Sequence, residues 1–202
     1  MKLYFAPMTC SLSPHIVLRE LGLPFELIRV NNKTKATADN RDFRDINPKG
    51  YVAALVLDNG QVLTEGPAIV QYLADQVPGN SLAPANGTWE RARLQELLNF
   101  ITSEIHGGSA PLFNPDIPEP VKEIFRQKLF KRLDYLNDLV HQDYLLGTFG
   151  LADAYLFTVL KWLPFFNIDI KNWPALDAIM ARVEARPSVQ AAIAAEEATQ
   201  PV

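Results

Sequence analysis

The chain has 202 residues, 48% of them hydrophobic and 21% charged, with a formal net charge of −4. This is ordinary globular composition, and the lack of any long run of one charge argues against a dedicated nucleic-acid or anionic-membrane surface. No apolar stretch is long enough to span a bilayer, the first residues lack a signal-peptide layout, and the single cysteine excludes an intrachain disulfide framework, so we expect a cytoplasmic protein.

The first part of the chain has the pattern of alternating strand and helix. Lys2–Ala6 and Glu26–Val30 have strand composition, and between them apolar residues recur at helical spacing over Ser13–Leu21. Gly22 is expected to end that helix. A strand, a helix and a strand in so few residues predict a βαβ unit with parallel strands.

A second pattern of strands follows a polar stretch. Asp58-Asn59-Gly60 lies between two apolar runs, and Asn-Gly is a strong hairpin signal. The next segment reads as a helix with Pro67 in its first turn and Thr64–Gly66 at its cap. The predicted order βαβ–ββα forms a first domain over residues 1–80.

After a linker at Pro78–Gly87, the pattern predicts only helices, and these form a second domain over residues 87–202. The first helix is expected to end at Gly107-Gly108, and the apolar segment from Leu151 is expected to be central and buried. The last helix is interrupted or restarts at Pro187. The fold class is therefore α/β plus all-α.

Cys10 lies just after the first strand and just before the first helix. Unpaired N–H groups at a helix start stabilise a thiolate, so we expect the pKa of Cys10 to fall. The alternative is a buried structural cysteine, since free cysteine is often buried. With no second cysteine in the chain, a two-thiol redox cycle within it is excluded.

Asn99, Ser103 and His106 share one face of the first helix of the second domain, opposite an apolar stripe. This polar face either meets water or faces a cleft between the domains. His106 is expected in the last turn of its helix, where a protonated imidazole is favoured.

The start of the helix at Thr64–Gly66 can hold a carboxylate or phosphate, and Glu65 can bind an ammonium group. The alternative is plain helix capping by Glu65. The three histidines are dispersed, so no metal site is expected, and no glycine-rich phosphate loop is present.

Five motifs resemble one family over almost the whole chain: CSLSPHIVLRE at Cys10, NPKGYV at Asn47, LTEGPAIVQYLAD at Leu63, LLNFITSEIH at Leu97 and LADAYLFTVLKW at Leu151. The sequence is similar to bacterial glutathione S-transferases, and most similar to the beta class. The resemblance implies a thioredoxin-like domain followed by a helical domain, which is the order read from the patterns.

The resemblance also implies that glutathione is the co-substrate and that Cys10 lies beside its sulfur, where it can form a mixed disulfide. The backbone of Val52 would pair with the cysteinyl part, Glu65 and Gly66 would hold the γ-glutamyl end, and Lys35 would contact the glycine carboxylate. The helical domain would line the cleft with Asn99, Ser103 and His106, the last of them near the sulfur. A homodimer and a small hydrophobic electrophile are the implied partners.

The sequence departs from the family at Ala53, where proline is usual as a cis-proline, and at Gly107, where many relatives have lysine. The Val52–Ala53 bond is therefore open between cis and trans. We expect a glutathione transferase that uses Cys10 and His106 in catalysis. Two alternatives stay open: a glutathione-dependent disulfide reductase with little conjugating activity, and a non-catalytic binding protein on this fold.

Overall fold

The structure is a computed structural model that describes residues 1–200 and 202. Four strands form one sheet in the order β2-β1-β3-β4: β1 is Lys2–Phe5, β2 is Glu26–Arg29, β3 is Ala54–Val56 and β4 is Val62–Thr64. The helices are α1 Leu12–Glu20, α2 Gly66–Asp75, α3 Trp89–Phe100, α4 Gly107–Phe113, α5 Glu119–Leu139, α6 Leu151–Leu160, α7 Pro174–Glu184 and α8 Pro187–Ala198.

The sheet confirms the predicted βαβ–ββα order. β1 pairs with β2 in parallel, starting at Lys2 opposite Glu26, and with β3 antiparallel. β3 and β4 pair antiparallel across the predicted hairpin, where Gly60 has a φ of 83° that glycine adopts without steric cost. The first unit therefore has the thioredoxin-like fold that the resemblance implies.

Both faces of β1 are buried, which places this strand at the centre of the unit. Leu3 and Phe5 alternate along the strand with Tyr4, and all three are almost fully buried. Tyr4 packs into an apolar cluster with Ile28, Val30, Phe43, Ile46, Val52 and Ala54. β1 leads directly into the Cys10 segment, so a rigid strand supports that segment.

Contacts divide the chain into two units, Met1–Asn80 with Glu184–Val202 and Ser81–Val183. The helical domain that we expect over residues 87–202 includes α8, which this division groups with the first unit and which packs against α1. Arg186 donates to both carboxylate oxygens of Glu20, at 2.7 and 2.9 Å. A charged contact at the start of α8 thus joins it to the first unit.

A second polar contact joins α8 to α1 in the interior. His15 is fully buried, and its Nδ1 lies 3.0 Å from Oε1 of Glu196. Arg19 donates to Nε2 of the same ring at 2.9 Å, so the neutral imidazole carries its proton on Nδ1 and donates it to Glu196. The backbone N–H of Met8 also donates to Glu196, which ties α8 to the segment before Cys10.

In the second unit, α6 is buried along its whole length, as its apolar sequence predicts. Asp153 accepts a hydrogen bond from the Gly150 N–H at 3.0 Å, which satisfies a donor at the start of this helix. α6 packs against α3 and against the segment that follows α3. Its buried position makes it the support for side chains on those two elements.

Candidate active site

Cys10 lies in the connection between β1 and α1 and is half-buried. Its Sγ donates a hydrogen bond to the carbonyl oxygen of Val52 at 3.2 Å. The peptide bond between Val52 and Ala53 is cis, which answers the question that alanine in place of proline left open. The thiol and this cis peptide therefore form one local site.

Burial raises the pKa of Cys10 to about 11, and the negative charge of Glu65 adds to the increase. The expectation that the helix start lowers this pKa is wrong, because desolvation of the thiolate outweighs the hydrogen bonds from backbone N–H groups. At neutral pH Cys10 is a thiol that donates a hydrogen bond.

Hydroxyl groups on either side of Cys10 hold this connection in place. Thr9 Oγ1 donates to the carbonyl oxygen of Ala6 at 2.8 Å, and Ser11 Oγ accepts from the Ala6 N–H at 3.2 Å. The two hydroxyl oxygens are 2.8 Å apart. The hydrogen bonds of Thr9 and Ser11 to the Ala6 backbone thus hold the turn that contains Cys10, which fixes the position of the thiol.

Glu65 precedes α2 with a φ of 70°, in the left-handed region that is uncommon for a residue with a side chain. Its carboxylate forms no cap hydrogen bond, so this side chain can act on the helix start only through its charge. Instead it pairs with Lys49 Nζ, which also donates to Thr64 Oγ1 at 2.7 Å. The exposed Glu65 carboxylate is available to a cation. Gly66 is the first residue of α2, and the first N–H groups of a helix have their hydrogen-bond partners outside the helix.

Lys35 lies near the same end of the first unit. Its Nζ is 5.9 Å from the centre of the exposed Tyr51 ring, within the range of a cation–π contact. Tyr51 directly precedes Val52 in the chain. Sequence reasoning missed both Lys49 and Tyr51 as site residues, although both belong to the NPKGYV motif.

Asn99 and Ser103 are exposed on the second unit, as their polar face predicts. Ser103 Oγ donates to the backbone oxygen of Asn99 at 3.0 Å. Ser103 also lines an open groove of about 490 Å³, whose other residues are Phe100, Glu104, Lys131, Arg132 and Tyr135. An ion pair between Glu104 and Arg132 at 2.7 Å crosses this groove.

His106 does not lie in the last turn of a helix, so the expected helix end at Gly107-Gly108 is wrong. A π-helical segment, Ile101–His106, follows α3, and the chain continues directly into α4. The N–H of Gly107 bonds to the carbonyl oxygen of Thr102, the five-residue step of a π turn. His106 is therefore not at a helix end, where a protonated imidazole would be favoured.

The π-helical segment directs His106 to buried aromatic residues of the second unit. His106 Nδ1 lies 2.8 Å from the hydroxyl oxygen of Tyr155, and its ring meets that of Trp162 edge to face at 4.9 Å. Phe113 in turn meets Trp162 edge to face at 5.5 Å. The structure thus brings Asn99 and Ser103 together and gives His106 different partners.

Tyr155 is the most informative residue that sequence reasoning missed. A buried phenol hydroxyl normally has a hydrogen-bond partner. The tyrosine in the otherwise apolar sequence of α6 therefore predicts such a partner.

Within residues 1–200 and 202, no group of three or more His, Cys, Asp or Glu side chains is arranged to hold a metal ion. In the same part of the chain, no helix has the length and hydropathy that crossing a membrane requires.

These features define a thioredoxin-like unit with a thiol beside a cis peptide, followed by a helical unit. Residues 7–76 match the glutathione S-transferase N-terminal domain, and residues 100–187 match the C-terminal domain of the same family. The chain is 44% identical to the glutathione S-transferase GstA of Escherichia coli O157:H7, over 97% of this chain and 98% of that protein.

Solved structures agree with the sequence comparison. The beta class glutathione S-transferase of Sphingomonas chungbukensis is 41% identical with a TM-score of 0.93, over 98% of this chain and 100% of the other. A sphingomonad glutathione S-transferase complexed with glutathione is also 41% identical, with a TM-score of 0.94 and the same coverage. The chain therefore belongs to the glutathione S-transferase family and is an enzyme of that family.

Proposed function

We propose that this enzyme conjugates glutathione to small hydrophobic electrophiles. The observation that carries the proposal is the arrangement in the first unit of three groups that complement glutathione. These are the thiol of Cys10, the Val52 backbone at the cis peptide and the Glu65 carboxylate before α2. The sphingomonad relative complexed with glutathione supports the same ligand.

Glutathione has a free amino-acid end, a central cysteine and a glycine carboxylate, and each matches a feature of the first unit. The Glu65 carboxylate accepts from the ammonium group, and the Gly66 N–H at the start of α2 donates to the neighbouring carboxylate. The Val52 backbone pairs with the cysteinyl residue, and Lys35 binds the glycine carboxylate. Lys49, which pairs with Glu65 in this structure, shares that carboxylate with the incoming ammonium group.

The reaction forms one bond and breaks one. The glutathione thiol loses its proton to solvent, its sulfur attacks the electrophilic carbon, and the leaving group departs with the bonding electrons. The Cys10 S–H, which donates to the Val52 carbonyl oxygen in this structure, turns to the glutathione thiolate and stabilises the charge on that sulfur. We propose that His106, Asn99 and Ser103 act on the same glutathione molecule, His106 at the sulfur.

The raised pKa of Cys10 favours conjugation over the disulfide reductase alternative. Thiol–disulfide exchange through Cys10 requires its thiolate, which burial disfavours at neutral pH. Conjugation uses the sulfur of glutathione and needs from Cys10 only a hydrogen bond.

The remaining parts of the proposal follow from the resemblance and the local chemistry. We propose a hydrophobic, aromatic electrophile because the His106 ring meets Trp162, and Trp162 in turn meets the exposed ring of Phe113. We also propose a homodimer, a cytoplasmic location, a role in detoxification and chemistry that needs no metal.

The test is conjugation of glutathione to an aryl halide by the wild type, Cys10→Ser and Cys10→Ala. We expect a rate that saturates with glutathione, is largely kept in Cys10→Ser, whose hydroxyl still donates, and falls in Cys10→Ala. The intact mass after incubation with oxidised glutathione at pH 7 should show slow adduct formation. Fast adduct formation together with loss of conjugation in Cys10→Ser would favour the reductase instead, and a wild type without glutathione-dependent conjugation would refute the proposal.

A further inference from the structure

Tyr155 places a hydrogen-bonding group in the interior of the second unit. The residue lies in the middle of α6 and is only 1% exposed, so its hydroxyl has little access to solvent. That hydroxyl is 2.8 Å from Nδ1 of His106, which lies 49 positions earlier in the chain. A buried tyrosine on a fully buried helix therefore meets the one histidine that the proposed function places at the glutathione sulfur.

Aromatic neighbours restrict the orientation of the same imidazole. The His106 ring stands at 68° to Tyr155, with centroids 6.1 Å apart, and at 72° to Trp162, with centroids 4.9 Å apart. Both are edge-to-face arrangements, which are the favoured geometry for such rings. The hydrogen bond at Nδ1 and the ring of Trp162 together hold the imidazole in one orientation.

The hydrogen bond at one ring nitrogen of a histidine decides which nitrogen carries the proton. A phenol hydroxyl is a good donor, and the unprotonated nitrogen of a neutral imidazole is a good acceptor. When Tyr155 donates to Nδ1, the proton of the neutral ring must be on Nε2. That tautomer presents an N–H donor, the group that stabilises a thiolate.

We propose that Tyr155 is a positioning residue for His106: it donates to Nδ1 and fixes the ring with its proton on Nε2, the tautomer whose N–H can stabilise the glutathione sulfur. The inference rests on the proposed function, in which His106 acts at that sulfur. Tyr155 itself touches no reacting atom, and its effect passes entirely through the imidazole.

The test compares Tyr155→Phe with the matched control Thr158→Val. Thr158 lies on the same helix, is equally buried and donates its hydroxyl to the carbonyl oxygen of Ala154 at 2.9 Å. Each substitution removes one buried hydroxyl from α6, but only the first removes the partner of His106. Thermal unfolding of both variants shows that each remains folded.

Two readouts separate positioning from a merely structural role. In conjugation assays Tyr155→Phe should lower kcat about tenfold, the size of a lost transition-state contact, while KM for glutathione changes less than about twofold. In nitrogen NMR spectra of protein with labelled histidine, assigned with His106→Gln, the wild type should show Nε2 protonated. Tyr155→Phe should shift His106 towards a mixture of tautomers, and Thr158→Val should match the wild type in both readouts.

Several outcomes would overturn the inference. They are an Nδ1-protonated His106 in the wild type, an unchanged His106 spectrum in Tyr155→Phe, and an equal loss of kcat in Thr158→Val. Conjugation that tolerates Tyr155→Phe but not His106→Gln overturns the positioning role and leaves the proposed function intact. A wild type without conjugation refutes the proposed function, and the nitrogen spectra then still decide whether Tyr155 sets the tautomer.

Discussion

Cys10 shows how two effects of opposite sign compete at one residue. The backbone N–H of Cys10, near the start of α1, favours a thiolate, whereas burial disfavours it, and burial is the larger effect. The sequence contains the first effect, since the order of strand, cysteine and helix is visible in it. The effect of burial cannot be predicted from the sequence in this way, because the burial of Cys10 depends on residues such as Val52, 42 positions away.

The raised pKa of Cys10 predicts the pH dependence of its alkylation. The rate with iodoacetamide, followed by intact mass, should keep rising about tenfold per pH unit from pH 7 to 10, because the thiolate fraction grows until the pH reaches a pKa of about 11. Free glutathione is the reference thiol, and Cys10→Ser controls for reaction at other side chains. A rate that levels off below pH 9 would contradict the assignment.

The contact between α1 and α8 is a property of two elements, and its charge state follows from burial. Burial lowers the pKa of His15, with a further decrease from Arg19, and burial raises the pKa of Glu196. Both shifts favour neutral groups, so the folded pair holds one titratable proton over a wide pH range. In the unfolded chain histidine titrates near 6.5 and glutamate near 4.5.

These shifts predict a maximum in stability. Between pH 4.5 and 6.5 both states hold one proton, so the pair contributes no pH dependence. From pH 6.5 to about 8 the unfolded pair holds none and the folded pair holds one, so the free energy of unfolding falls as the pH rises. Below pH 4.5 the unfolded pair holds two, so the free energy falls again as the pH drops.

Glu196→Gln tests this account of the α1–α8 contact. The variant cannot release a proton at residue 196, so the decrease in stability between pH 6.5 and about 8 should disappear. Urea unfolding at several pH values measures it, and the exposed neighbour Glu197→Gln is the matched control. A decrease of equal slope in Glu196→Gln and in the wild type would show that other groups cause it.

Elements with strong local signals were predictable, and those defined by distant contacts were not. The hairpin at Asn59-Gly60 and the restart at Pro187 are confirmed because turn geometry and proline act locally. The helix end predicted at Gly107 is wrong because the Gly107 N–H bonds to Thr102 and the helix continues. The glycine pair Gly107-Gly108 locally favours a helix end, but the sequence does not show that α4 packs against α5.

At the scale of the whole molecule, the division into units differs from the order along the chain. The sequence order βαβ–ββα, then helices, predicts one boundary near residue 80, and α8 then belongs with the other helices. In the structure α8 is grouped with the first unit. Arg186 contacts Glu20, and Glu196 contacts His15. Contacts between residues more than 160 positions apart are not encoded in any local pattern.

Arg186→Met should therefore destabilise the first unit. The substitution keeps an unbranched apolar stem but removes two charged hydrogen bonds to Glu20, which is mostly buried, and a loss of about 1–3 kcal/mol is expected. Urea unfolding measures the free energy. Arg182→Met is the control, because Arg182 and its partner Asp143 are both largely exposed and their pair should contribute below about 1 kcal/mol.

The proposed function requires that the first unit binds glutathione through Glu65, and calorimetric titration with glutathione measures this binding. The wild type should bind glutathione, and Glu65→Gln should weaken binding about 10- to 100-fold, because the variant loses a charge-assisted contact to the ammonium group. Glu26→Gln, at another exposed glutamate paired with a lysine of this unit, should leave the affinity unchanged. A wild type that does not bind glutathione, or a Glu65→Gln variant that binds as tightly as the wild type, would refute binding through Glu65.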